Sequence, residues 1–297
     1  MTAELAPPIS ASRPIVLKKA NWLRHFDAIN ITDSQLAVCR MSPLAAAAIL
    51  LQEGLTPIPQ FTLRDRNQIA LQSDLMGAYA LGIQNIFCLT GDHPRFGNHP
   101  QAKPVFEFTV IEFLKKVTAL CTEGRYFNGE LIKSPPGTVP KLFLGAAANP
   151  ITKGGLDGNI ERLEKKYEAG ARFFQTQPVF DMEGFQNWME AVRRSGLHQR
   201  AHILAGVMPV KSVKAIHYLA ENVPGNYVPD SFIQRMEKSA DPVEEGKKIC
   251  VEILKTLKTI EGVHGVHLMS VAWEESLPQV AEAAGLLKLQ GTDPIIH

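Results

Sequence analysis

The chain has 297 residues, 45% of them hydrophobic, and a formal net charge of +1. That length admits one large domain or two small ones, and it suits a (β/α)8 barrel of roughly 250 residues. The balanced charge gives no electrostatic case for nucleic acid or a membrane surface, and the longest apolar stretch, Pro43 to Leu51, is too short to cross a bilayer.

Apolar runs and punctuation residues predict strands and helices in alternation. In chain order they are strand Thr2–Leu5, helix Ile15–Phe26, strand Ala28–Thr32, helix Ser42–Glu53, strand Pro57–Thr62 and helix Asp65–Leu81. Strand Asn85–Leu89, helix Thr109–Cys121, strand Lys141–Ala146, helix Leu156–Ala169, strand Arg172–Thr176 and helix Met182–Ser195 follow. Strand His202–Val207, helices Val213–Glu221, Pro229–Lys238 and Pro242–Ile260, strand Val266–Met269 and helix Trp273–Ala284 close the order. Asp241-Pro242 reads as an N-cap with Pro at the first helical position. Gly82, Gly170 and Gly196 sit where helices end on glycine. Ile69, Leu71, Leu75, Met76 and Tyr79 read as the apolar face of the third helix. The strands look apolar on both faces, as in a buried parallel sheet.

Eight strand–helix alternations argue for a closed barrel in a single domain spanning 1–297. An open doubly wound sheet is the weaker alternative, since no Gly-x-Gly-x-x-Gly follows the first strand. One connection, 122–140, is oversized. Its Arg125–Ile132 stretch reads as a hairpin on an Asn-Gly turn at the amino-terminal face, either an interface element or a plain surface insertion. The four cysteines, Cys39, Cys88, Cys121 and Cys250, have no Cys-x-x-Cys spacing and read as buried free thiols of a cytoplasmic protein. His93 with His99, and His264 with His267, lack a clear third ligand, so no metal is expected.

Two segments carry the chemistry. Leu89-Thr90-Gly91-Asp92-His93-Pro94 and Gln175-Thr176-Gln177-Pro178-Val179-Phe180-Asp181 each place polar groups at the end of a strand, the catalytic rim of a (β/α)8 barrel. With Glu4-Leu5-Ala6-Pro7-Pro8 on the first strand and Gly206-Val207-Met208-Pro209 on the seventh, they make four motifs in order. In these motifs the chain resembles the catalytic barrel of methylenetetrahydrofolate reductases, from Glu4 to about Leu287. The end of the chain soon after its last helix implies a barrel without the regulatory extension of animal members.

The resemblance implies flavin-dependent reduction of 5,10-methylenetetrahydrofolate to 5-methyltetrahydrofolate, a step of one-carbon metabolism and methionine biosynthesis. Opening the five-membered ring needs a proton on the departing nitrogen. A carboxylic acid sheltered among apolar neighbours can supply one, and Glu4, between Ala3 and Leu5, is the expected general acid. Asp92 is expected to stabilise the resulting iminium cation and to touch pterin and flavin. Gln177 is expected to read the pterin edge, donating and accepting through its amide. Thr32, Gln60, Thr62, Leu89, Thr90, Gly91, Asp92, Lys165 and Lys166 match flavin-binding positions. The implied cofactor is FAD or FMN, and the implied donor is NAD(P)H or a partner electron-transfer protein, with an oligomer or complex open.

The chain also departs from the family pattern. Thr90 stands where Arg is frequent, Gln60 where the third strand ends in His, and Gly145–Pro150 replaces a Tyr-Pro and His-Pro segment. Val213 replaces an aromatic residue that stacks on the dinucleotide, so poor use of NADH is expected, unless Phe180 supplies the ring. Trp273 replaces an Arg near the last strand. Two other readings remain: a flavin-free folate-dependent one-carbon transferase, and a dependent subunit of a larger redox complex.

Overall fold

In a computed structural model, residues 1–135, 137–150, 155–223 and 227–288 are described. Eight parallel strands close into a barrel in sequence order: β1 Thr2–Leu5, β2 Ala28–Ile31, β3 Pro57–Thr62, β4 Asn85–Leu89, β5 Phe143–Ala148, β6 Phe173–Pro178, β7 His202–Val207 and β8 Gly265–Leu268. β8 returns to β1 through Thr2↔His267 and Ala3↔Leu268. Helices follow each strand: α1 Arg13–Leu23, α2 Pro43–Gln52, α3 Gln68–Ala80, α4 Val110–Glu123, α5 Gly155–Glu168 and α6 Met182–Arg194. α7 Val213–Asn222, α8 Asp230–Lys238 and α9 Pro242–Leu257 lie between β7 and β8, and α10 Leu277–Ala283 comes last. The expected fold class is therefore the observed one. Among the described residues no helix is long and apolar enough to cross a membrane.

Local chemistry accounts for the helix ends. Thr109 and Glu112 form a reciprocal capping box on α4, and Asp241 caps α9 by accepting from Val243 and Glu244 N–H. Gly82, Gly170 and Gly196 all take the left-handed backbone expected of them. On α3 the buried side is Leu71, Gln72, Leu75 and Ala78, at helical spacing, whereas Ile69 is 74% exposed. Two residues along a helix turn it by about 200°, so Ile69 and Leu71 cannot share a face. The expected terminal helix is shorter: Trp273 precedes a 3-10 turn, Glu274–Ser276, before α10 begins.

The large core lies between barrel and helices, where Ala3 and Leu5 of β1 are packed with Val16, Ala20 and Leu23 of α1. Successive strand residues face opposite sides, so the partners of Ala3 and Leu5, namely Thr2 and Glu4, face the interior. The interior is layered. A separate apolar cluster of Ile58, Phe87 and Phe173, with Ala28 and Leu204, fills one end. One step further along the strands the layer turns polar: Thr2, Asn30, Gln60, Gln175 and His267 are all buried there. The strands are thus not apolar on both faces. The inward side carries amides and a histidine that the overall hydrophobic run conceals.

The connection after α4 forms a tight turn with a single antiparallel bridge, Arg125↔Leu131, rather than a two-stranded hairpin. Phe127 anchors it, 5% exposed, with its N–H donating to Gln72 Oε1 at 2.6 Å. Cys88 and Cys250 are buried, and burial pushes both thiols up, so they stay protonated; Cys39 is exposed instead.

Candidate active site

The polar layer is one connected set. Asn30 and Gln175 exchange two amide hydrogen bonds, 2.6 and 3.0 Å, across the barrel. Gln175 Nε2 also donates to Thr2 Oγ1 at 3.1 Å. The same Thr2 hydroxyl shares a hydrogen bond with His267 Nδ1 at 2.9 Å. With Thr2 as the donor, the ring proton of a neutral imidazole sits on Nε2, and Nε2 lies 3.9 Å from Glu4 Oε2. Glu4 itself is half-buried on the inner wall. Thr2, Asn30 and His267 were not anticipated as part of a catalytic or binding site, and Gln175 only as the first residue of the segment that ends β6. Their signal was a polar residue at alternate positions of an otherwise apolar strand. His267 was paired with His264 in sequence, but His264 precedes β8 at its amino-terminal end and accepts the Ile203 N–H through Nδ1 at 3.2 Å. Among the described residues no three groups assemble a metal site.

At the strand ends, Gly91 has φ +85° and a Cβ there would lie 2.8 Å from Thr62 Cβ. Only glycine lets the β4 loop settle onto β3 at this point. The Thr62 hydroxyl donates to Asp33 Oδ2 at 2.7 Å, and Arg66 pairs with the same carboxylate at 2.6 Å. Thr32 is hydrogen-bonded to Gln35. Both threonines are buried. Asp92 is exposed and its Oδ2 accepts the Leu36 N–H at 2.7 Å. Asn98, from the same loop, accepts the Cys39 N–H at 3.0 Å. The β2 loop that these two side chains fasten down carries Ser34, Leu36 and Ala37 at positive φ.

Across the barrel, at the ends of β5 and β6, Ala147, Ala148, Asn149, Asn159, Arg162, Lys166 and Gln177 line a pocket of about 190 Å³. Burial, then the nearby Arg162 charge, lowers the Lys166 pKa to about 8, and its Nζ donates to the Ala147 carbonyl at 2.6 Å. Lys165, expected beside it, is exposed and paired with Glu161. Neighbouring helix residues point about 100° apart, so only one of the two lysines can face the barrel. Arg162, one turn earlier, takes the place expected of Lys165. Two cations on a concave surface are suited to a phosphate or diphosphate, so these residues fit the charged part of a flavin. Gln60 is buried in β3, in register with Phe87. Leu89 is half-buried at the end of β4, and Thr90 is exposed beyond it, its carbonyl accepting the Leu63 N–H at 3.1 Å.

Strand-end carboxylates, an internal hydrogen-bonded polar layer and a cationic pocket mark a (β/α)8 protein with a candidate ligand site at the carboxyl face of its barrel. The family described as Methylenetetrahydrofolate reductase matches residues 2–285. This chain belongs to that family of oxidoreductases. A probable methylenetetrahydrofolate reductase (NADPH) of Caenorhabditis elegans is 26% identical over 251 residues, 83% of this chain and 35% of that protein. Methylenetetrahydrofolate reductase 2 of Saccharomyces cerevisiae is 26% identical over 207 residues, 67% of this chain and 30% of its own. The chain thus spans about a third of the length of these curated relatives. An uncharacterized Clostridium thermocellum protein, described as binding two copies of 5-methyl-5,6,7,8-tetrahydrofolic acid, shares the fold. Its TM-score is 0.65 at 16% identity, covering 96% of this chain and 93% of its own.

Proposed function

We propose that this chain reduces 5,10-methylenetetrahydrofolate to 5-methyltetrahydrofolate with a flavin, FAD or FMN, held at the barrel mouth. The observation that carries the reading is Glu4: a carboxyl on the inner wall, backed by His267, Thr2, Gln175 and Asn30, across the barrel from the cationic pocket. When bound, the flavin supplies the hydride. Lys166 and Arg162 hold its phosphates. Glu4 gives its proton to the departing ring nitrogen, and His267, held by Thr2, stands beside the carboxylate left behind. Asp92, kept at the mouth by the Leu36 N–H, faces the positive charge that ring opening creates. Gln177 reads the pterin edge.

The test is the visible spectrum of the purified protein, followed by anaerobic mixing with NADH. A yellow protein that takes up about one flavin per chain and is reoxidised by methylenetetrahydrofolate supports the reading. Failure to take up flavin, with folate still bound, turns the assignment to a flavin-free one-carbon transferase.

The donor half of that experiment carries its own expectation. Val213 begins α7 and packs on the core, and Phe180 is 2% exposed, so neither side chain presents a free ring to a nicotinamide dinucleotide. Stacking contributes about 1–3 kcal/mol per base, and its loss weakens binding by roughly one to two orders of magnitude. NADH is expected to bleach the flavin only at high concentration, while a reduced viologen dye restores full turnover. Rapid, saturable bleaching at micromolar NADH would remove the case for a partner electron-transfer protein.

Lys166 makes flavin affinity depend on pH. Its ammonium form is present below about pH 8 and is lost above it. An anionic phosphate prefers the charged form, so the dissociation constant is expected to be flat at lower pH and to rise by up to tenfold per unit above about 8. Flavin fluorescence titrations of the apoprotein on either side of pH 8 read this directly. Lys166→Met should bind more weakly at low pH and show no such rise; an unchanged profile would place the phosphate elsewhere.

A further inference from the structure

β6 and β7 pair at Gln175↔Leu204 and next at Pro178↔Gly206. Three steps along β6 match two along β7, so one extra residue is accommodated between them, the definition of a β-bulge. A regular ladder would set Gln177 opposite Gly206. The extra residue leaves Gln177 without a partner in the ladder, at the edge of the pocket that Ala147, Ala148 and Lys166 also line.

Side-chain chemistry replaces the ladder at this point. The Gly206 N–H donates to Thr176 Oγ1 at 2.8 Å, and that hydroxyl donates onward to the Gln177 carbonyl at 2.8 Å. The Val179 N–H then returns to the Gly206 carbonyl at 2.9 Å. Thr176 is 3% exposed, so its hydroxyl has no water to fall back on. Gly206 makes room: a Cβ there would lie 2.3 Å from the Thr176 carbonyl oxygen and 2.8 Å from that of Gln177.

We propose that Thr176 and Gly206 are positioning residues for Gln177, the bulge they hold aiming its amide at the folate. The inference rests on the reading of Gln177 as the pterin-binding amide and adds the device that aims it. It also gives the Gly-x-x-Pro segment at the end of β7 a physical reason: its glycine is where β6 presses two carbonyls against β7.

The test is calorimetric titration of the purified full chain with 5-methyltetrahydrofolate, with thermal melting as a check of folding. Gln177→Ala is expected to weaken binding by roughly tenfold, the loss of a neutral hydrogen-bonding group. Thr176→Val keeps the volume, removes the hydroxyl and is expected to cost a similar factor. Thr176→Ser keeps the hydroxyl and should restore affinity to within about threefold of the parent. The double variant T176V/Q177A should bind no more weakly than Q177A alone, since both changes act through one amide. If T176V does not fold, Thr176→Cys, of similar size and weaker as a donor, replaces it and should weaken binding about threefold. Loss in Q177A without loss in T176V (or its Cys replacement) overturns the positioning role alone, as does additivity in the double variant or failure of Ser to rescue. Unchanged affinity in Q177A overturns the pterin reading, and the positioning role falls with it.

Discussion

Glu4→Gln is expected to slow reoxidation of the reduced enzyme by methylenetetrahydrofolate by roughly 10²–10⁴-fold, the usual loss for a missing general acid. The amide keeps the shape of the side chain on the inner wall of β1 and removes the proton it could transfer. Flavin reduction by the donor needs no ring opening and should proceed at the parent rate. The half-reactions separate in anaerobic stopped flow, where one bleaches the flavin and the other restores its colour. Equal slowing of both would mean that Glu4 only supports the barrel wall. Thr2→Val provides a second view of the same corner. It removes the hydroxyl hydrogen-bonded to His267 Nδ1 and should move the pH profile of reoxidation without touching reduction.

Asp92→Asn is expected to slow the same half-reaction by about thirtyfold. A unit charge pair near 4 Å is worth about 4 kcal/mol at an effective dielectric of about 20, and half of that, allowing for the exposure of Asp92 to solvent, is about thirtyfold in rate. Asn is the informative replacement because of Leu36. Its amide oxygen can still accept the Leu36 N–H, so the β2 loop stays fastened and only the charge is lost. Asp92→Ala removes the acceptor as well and releases a loop carrying three non-glycine residues at positive φ. It should therefore raise KM for the folate in addition to lowering kcat. If the Asn variant matches the parent in rate, the charge is not what Asp92 contributes.

The sequence by itself determined the barrel. Alternation of strand and helix, caps such as Asp241 and helix-ending glycines such as Gly170 are local signals, set by backbone preferences within a few residues. The rim positions Glu4, Asp92 and Gln177 were legible for a related reason: a strand's carboxyl end in such a barrel is a place that sequence order alone identifies. The resemblance then supplied the roles expected of them, and the family match across residues 2–285 bears out the family itself.

What only the tertiary structure decided depends on contacts between residues far apart in sequence. Gln175 and Thr2 are 173 positions apart, and Thr2 and His267 are 265 apart; no local pattern could join them into one hydrogen-bonded layer. Which lysine faces the pocket was settled by the rotation of α5 against β5, which admits Lys166 and Arg162 and turns Lys165 outward. The bulge that sets Gln177 apart from its strand was invisible for the same reason. It arises where one strand carries an extra residue relative to its neighbour, a relation between β6 and β7 that neither segment contains alone.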